Sequence, residues 1–265
     1  MSTSAKDKHP VEGWMARQRQ MIKEFKVVFP EEWEVSKYCI AAAYGLIRYA
    51  VNLPNLDRAG VLRTILWKKA LDYHKISLSL LISGELDIAY STLRNATELA
   101  RDVSCMKTKE LVDLWLSQKT YGEKIAQKEY REKYQFSNHD PNHRIVKSVG
   151  KVCSKIGVHG HMSNFTFSET REYFFDNFEF LDSPWGRFAT KEAILLWFIS
   201  FFPIHTLCAN QFLDEYPNNK QFIDWWGTFV KMAAPVLKVS EEIITTASKK
   251  DSHIFVLYRQ FYNEN

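Results

Sequence analysis

Glycine and proline are scarce in this chain, 10 and 8 among 265 residues. So few breakers leave long uninterrupted elements, which argues against a many-turned β fold and for helices. Cysteine is sparser still. Cys39, Cys105, Cys153 and Cys208 lie far apart, with no Cys-x-x-Cys pair, so no disulfide framework or zinc finger is written here, and a reduced, cytoplasmic setting is expected. The opening MSTSAKDKHPVEGW lacks the apolar run of a signal peptide, and the Asn-x-Thr sequons at Asn95 and Asn164 are therefore expected to carry no glycan. Neither a Gly-rich phosphate loop, a Gly-x-Ser-x-Gly elbow nor a His-Glu-x-x-His pair occurs. No excess of one charge occurs either: the net +4 admits an acidic partner such as RNA without demanding one.

What is plentiful is apolar and aromatic surface. Hydrophobic residues make up 46% of the chain, with 18 Phe, 12 Tyr and 8 Trp, enough to bury a sizeable core. One run, Ala193 to Ala209 (AILLWFISFFPIHTLCA), approaches the roughly 20 residues that span a bilayer. Pro203, His205 and Thr206 interrupt its second half, and charges flank it on both sides. The run reads as a central helix buried on most sides, with no membrane partner.

The remaining pattern is a succession of helices. One covers residues 11–29 and stops before Pro30, which opens the second at a first-turn position followed by Glu31 and Glu32. Pro54 ends that one. A third runs from about Leu56 to Gly84 and a fourth to Lys107. Thr108 caps a fifth, whose far end, EKIAQKEYREKYQ, loses its apolar stripe and is expected to be solvated. The loop SNHDPNH leads to a short helix, RIVKSVGKVCSKI. An irregular or hairpin aromatic segment, REYFFDNFEFLDSPWG, then covers the core. Thr190 caps the buried helix, and a last helix spans roughly Asn219 to Lys249, bent at Pro235. With no repeat or linker, the expectation is a single all-α domain over residues 1–265, a multi-helix bundle with its core at 30–250 and possible mobile tails.

Two helices carry the functional signal. In the fourth, Leu86, Ala89, Leu93, Ala96, Ala100 and Val103 form an apolar stripe, while Asp87, Ser91, Arg94, Glu98 and Arg101 recur at spacings of four, three, four and three. That is heptad-seam spacing with every member polar, and Arg94 and Glu98, one turn apart, can pair. Such a row is either a solvated face or a polar seam turned toward another helix. In the short helix, Ile145, Val149, Val152 and Ile156 form one stripe and Lys147, Lys151 and Lys155 a ladder opposite, the arrangement that suits a phosphate backbone. Directly after it, His159 and His161 flank a glycine. With His139, His143 and Cys153 nearby a metal site comes into view, but Pro141 breaks the first histidine pair and no carboxylate stands in a ligand position, so neither metal nor cofactor is expected.

The stretch ISLSLLISGELDIAYSTLRNATELARDV resembles the central helix pair of a broad set of bacterial domains of unknown function. Those domains carry a small residue between the helices, an Arg and a Glu one turn apart, and a downstream helix ending in a serine, a hydrophobic residue and a histidine. Gly84, Arg94 and Glu98 match the first part. Ser154, Val158 and His159 approximate the second, the serine standing one residue too far from the histidine. The likeness spans Leu62 to Leu213 and extends in helical layout to the HEPN superfamily, which includes ribonucleases of bacterial toxin and antiviral systems. It implies a helical fold with a polar cluster, binding of RNA or a nucleotide in a toxin–antitoxin or antiviral defence setting, and a homodimer. The active HEPN signature, Arg followed after four to six residues by His, is absent. Arg131 to His139 has one intervening residue too many, so the reading leans away from an enzyme. Arg94, Glu98, His159 and His161 form the expected polar cluster, Glu98 holding a histidine and Arg94 binding an anion. The alternative is a non-enzymatic scaffold that dimerises or holds a protein partner.

Overall fold

In the computed structural model, residues 10–118, 124–157 and 184–231 are described, and all regular structure among them is helical. In chain order the helices are α1 (Pro10–Val28), α2 (Pro30–Val51), α3 (Arg58–Ile82), α4 (Leu86–Cys105), α5 (Lys109–Leu116), α6 (Lys124–Lys133), α7 (Pro141–Gly157) and α8 (Pro184–Glu215). A further helical stretch covers 220–231.

The local chemistry sets these boundaries. Pro30 opens α2, where its missing N–H costs nothing. The Asp57 carboxylate caps α3 by accepting from Gly60 N at 2.7 Å, and the Thr108 hydroxyl accepts from Leu111 N at the start of α5. Between α3 and α4 the chain reverses at Gly84, which has φ 76°. Gly84 N donates to Leu81 O at 3.1 Å and Glu85 N to Leu80 O at 2.8 Å, the paired bonds of a helix end closed by a left-handed residue. A side chain at position 84 would strain this turn.

Helices α3 and α4 form the most extensive pair, with α7 and α8 packed on α4, and α8 also on α3. One contiguous apolar core joins them, from Phe25 and Phe29 in the first elbow to Phe222 and Phe229 in 220–231. Helix α8 lies at its centre. Its stretch Thr190–Leu213 is long and apolar enough to cross a membrane, but 89% of the most apolar window is buried among the other helices, so its apolar surface is already used by the core. Cys39, Cys153 and Cys208 are buried, and burial pushes their thiols up, Cys39 to about 12.

Three expectations need correction. The far end of the expected fifth helix is not wholly solvated: Tyr130 of α6 and Tyr134 just after it are buried, stacked at 4.5 Å between ring centroids. Thr190 caps nothing, because α8 already begins at Pro184 and Thr190 is buried inside it. In the loop before α7, Pro141 starts the helix rather than sitting within a loop. Most of the aromatic cover, the tails and the bend at Pro235 lie outside the described residues.

Candidate functional site

The polar row of α4 is neither solvated nor buried. Asp87, Ser91, Arg94, Glu98 and Arg101 are all half-buried, flanking the apolar stripe along the packed edge of the helix. Arg94 Nε meets Glu98 Oε1 at 3.2 Å, with the two side chains 35% and 41% exposed. An i,i+4 pair this open to water contributes only a few tenths of a kcal/mol. Arg94 also stands close enough to α7 for its charge to favour the Cys153 thiolate, though burial of Cys153 outweighs it. The helices approach closely here: a Cβ on Gly150 would lie 3.0 Å from Thr97 Oγ1. His159 and His161, expected beside this pair, lie outside the described residues.

Helix α7 separates its two faces. Ile145, Val146, Val149, Val152 and Cys153 are buried against the bundle, while Lys147 is half-buried and Lys151 exposed on the other side. The Lys155 side chain is not among those described. The start of α7 is fixed by Asp140, whose Oδ1 accepts from Asn142 N at 2.7 Å and from His143 N at 3.4 Å. The preceding loop is tied back onto the lysine row. Arg144 Nη1 donates to Asn138 O at 3.0 Å and to His139 O at 3.3 Å, and Lys147 Nζ donates to Asn138 Oδ1 at 3.2 Å. His143 is partly buried, and its Nδ1 accepts from Ser137 N at 3.3 Å. Burial, helped by Lys107, lowers its pKa against the opposing pull of Asp140. Among the described residues no three His, Cys, Asp or Glu side chains gather as a metal would need.

The most fully hydrogen-bonded polar cluster among the described residues was not expected from the sequence. Asp102, 2% exposed, sits near the end of α4. Its Oδ1 accepts from Arg101 Nη2 at 2.8 Å and from Tyr130 Oη at 2.6 Å, and its Oδ2 from Trp115 Nε1 at 2.9 Å. Arg101 Nη2 also donates to Tyr130 Oη at 2.7 Å. One carboxylate thus ties α5 and α6 to α4. Burial of the ring and, after it, the Asp102 charge push the Tyr130 phenol strongly upward, so it stays a donor. Every partner is satisfied, which marks a structural knot rather than a reactive site.

Two more buried groups join α3 to α8. Arg63, 2% exposed, places Nη2 2.7 Å from Glu215 Oε2 and stacks over Phe212. Further along, Trp67 Nε1 donates to His205 Nδ1 at 2.9 Å, and His74 Nε2 lies 3.3 Å from Ser200 Oγ. No signal in the sequence pairs these residues, because each reaches a partner more than a hundred positions away. The chain matches no known protein family, no curated protein and no solved structure.

Proposed function

We propose that this chain is a helical module that binds RNA or a nucleotide through the outer face of α7, without cleaving it. The observation that carries the reading is the division of α7: Lys147 and Lys151 stand opposite the buried Ile145, Val149 and Val152. Cations on a face that packing leaves free can meet phosphates without desolvating the core. Asn138 and His139, held at the end of the row by Arg144, add hydrogen-bonding groups beside it. Arg94 at the α4–α7 edge supplies a further anion-binding group, paired through Nε with Glu98 and 35% exposed. In this reading the likeness to HEPN domains is one of helical layout, in a defence or toxin setting, and cleavage has no part because the Arg-to-His signature is missing.

The test is binding of a short single-stranded RNA, followed by fluorescence anisotropy across salt concentrations. Each lysine–phosphate contact adds about 0.7 to the salt slope. Replacing Lys147, Lys151 and Lys155 together with glutamate is expected to abolish binding and leave the helical circular dichroism unchanged. Binding that survives the replacement, or ignores salt, overturns the proposal. The second reading, a scaffold for a second copy or another protein, is favoured by the exposed Ile223 and Trp225 on 220–231. The inner helix α8 has no comparable surface to offer.

A further inference from the structure

His74 and His205 are fully buried between α3 and α8, with ring centroids 5.1 Å apart. The tautomer of His205 follows from its partner. Trp67 Nε1 can only donate, so His205 Nδ1 is bare and Nε2 carries the proton. His74 Nε2 lies 3.3 Å from Ser200 Oγ, which also reaches Trp197 O at 2.8 Å, and the Ala70 carbonyl one turn earlier acts on the same ring. The remaining two ring nitrogens, His74 Nδ1 and His205 Nε2, have no hydrogen-bond partner. Both rings are neutral and enclosed by apolar surface: Trp197 and Phe201 against His74, Phe201 and Phe229 against His205.

We propose that His74 and His205 form an acid-operated latch between α3 and α8. A proton arriving at His205 can enter only at Nδ1, where it displaces the Trp67 N–H and turns an inter-helix hydrogen bond into a clash of two donors. A proton arriving at His74 places a cation beside the other ring, in the core. Either event is relieved by parting the two helices. Burial holds His74 down to about 3 in the closed state, against the opposing pull of the Ala70 carbonyl, and holds His205 well below its ordinary value, with His74 adding to the effect. His74 is the one titratable group acting on His205 among the described residues. Helices α2 and α4 and the stretch 220–231 bring no charged side chain to bear on either ring. The charged pair on the same two helices, Arg63 with Glu215, lies beyond Trp67 and Phe212. Opening the seam would uncover the apolar inner face of α8.

Regional hydrogen exchange on the full chain tests this, corrected for intrinsic rates, between pH 7.5 and 4.5. Each histidine should raise the opening constant of α3 and α8 about tenfold per pH unit below about 6.5, roughly 100-fold by pH 4.5, while α4 and α7 keep their protection. His74→Gln and His205→Gln should each remove one decade per unit from that slope, the glutamine at 205 still offering Trp67 an acceptor. If α3 and α8 lose protection only together with α4 and α7, acid simply unfolds the whole chain and the latch is wrong. Slopes unchanged in both variants overturn it equally. Should neither variant fold, the regional comparison in the unaltered chain decides alone.

Discussion

The knot around Asp102 and the histidine pair are both buried polar clusters, yet they handle burial in opposite ways. Asp102 is surrounded by donors from Arg101, Tyr130 and Trp115. His74 and His205 have given up charge and still leave two nitrogens unpartnered. A full set of donors lets a carboxylate stay ionised inside a protein, whereas imidazoles without such partners stay neutral. The first arrangement is fully hydrogen-bonded and ties three helices together. The second is sensitive to pH.

The sharpest way to break the contrast is Asp102→Ala. It strands the Arg101 cation and the Trp115 and Tyr130 donors together, and a loss of about 3–5 kcal/mol in urea unfolding is expected. A loss below about 1 kcal/mol would mean that the knot is no lock. Next is acid. Both histidines have depressed values in the folded chain, so the unfolded chain binds more protons and their contribution is complete above about pH 6.5. It falls by about 1.4 kcal/mol per pH unit for each ring below that, and for His74 the decline continues toward pH 3. Chemical denaturation at pH 7.5, 6.0 and 5.0 measures this, and a flat profile would contradict it. The smallest effect belongs to Glu98→Ala. An ion pair so open to water should cost no more than about 0.5 kcal/mol in the same assay. A cost of several kcal/mol would place Glu98 in a buried cluster after all.

Helix ends were legible where a single residue type dictates them. Pro30 begins α2, Gly84 turns α3 into α4 and Thr108 caps α5. The stripes of α4 and α7 were legible too, because burial follows helical period. The fifth helix misled because two tyrosines four residues apart were lost among its charges. Thr190 misled because a cap-forming residue also fits inside a buried helix. The polar row of α4 could be listed but not oriented, since its spacing is the same whether it faces water or a neighbour. Asp102, His74 and His205 were illegible for a deeper reason: their partners sit on other helices, and local spacing carries no trace of them. Where His159 and His161 stand relative to Glu98 lies outside the described residues.

The buried cysteines have a practical consequence for labelling. Cys39, Cys153 and Cys208 are shut in the core, and half-buried Cys105 also has its thiol pushed up, chiefly by burial. At neutral pH all four are poor thiolates, and maleimide reagents should react with the folded chain slowly. A cysteine introduced at exposed Glu129 or Glu132 on the outer side of α6 would then take a fluorophore selectively, with every native thiol left in place.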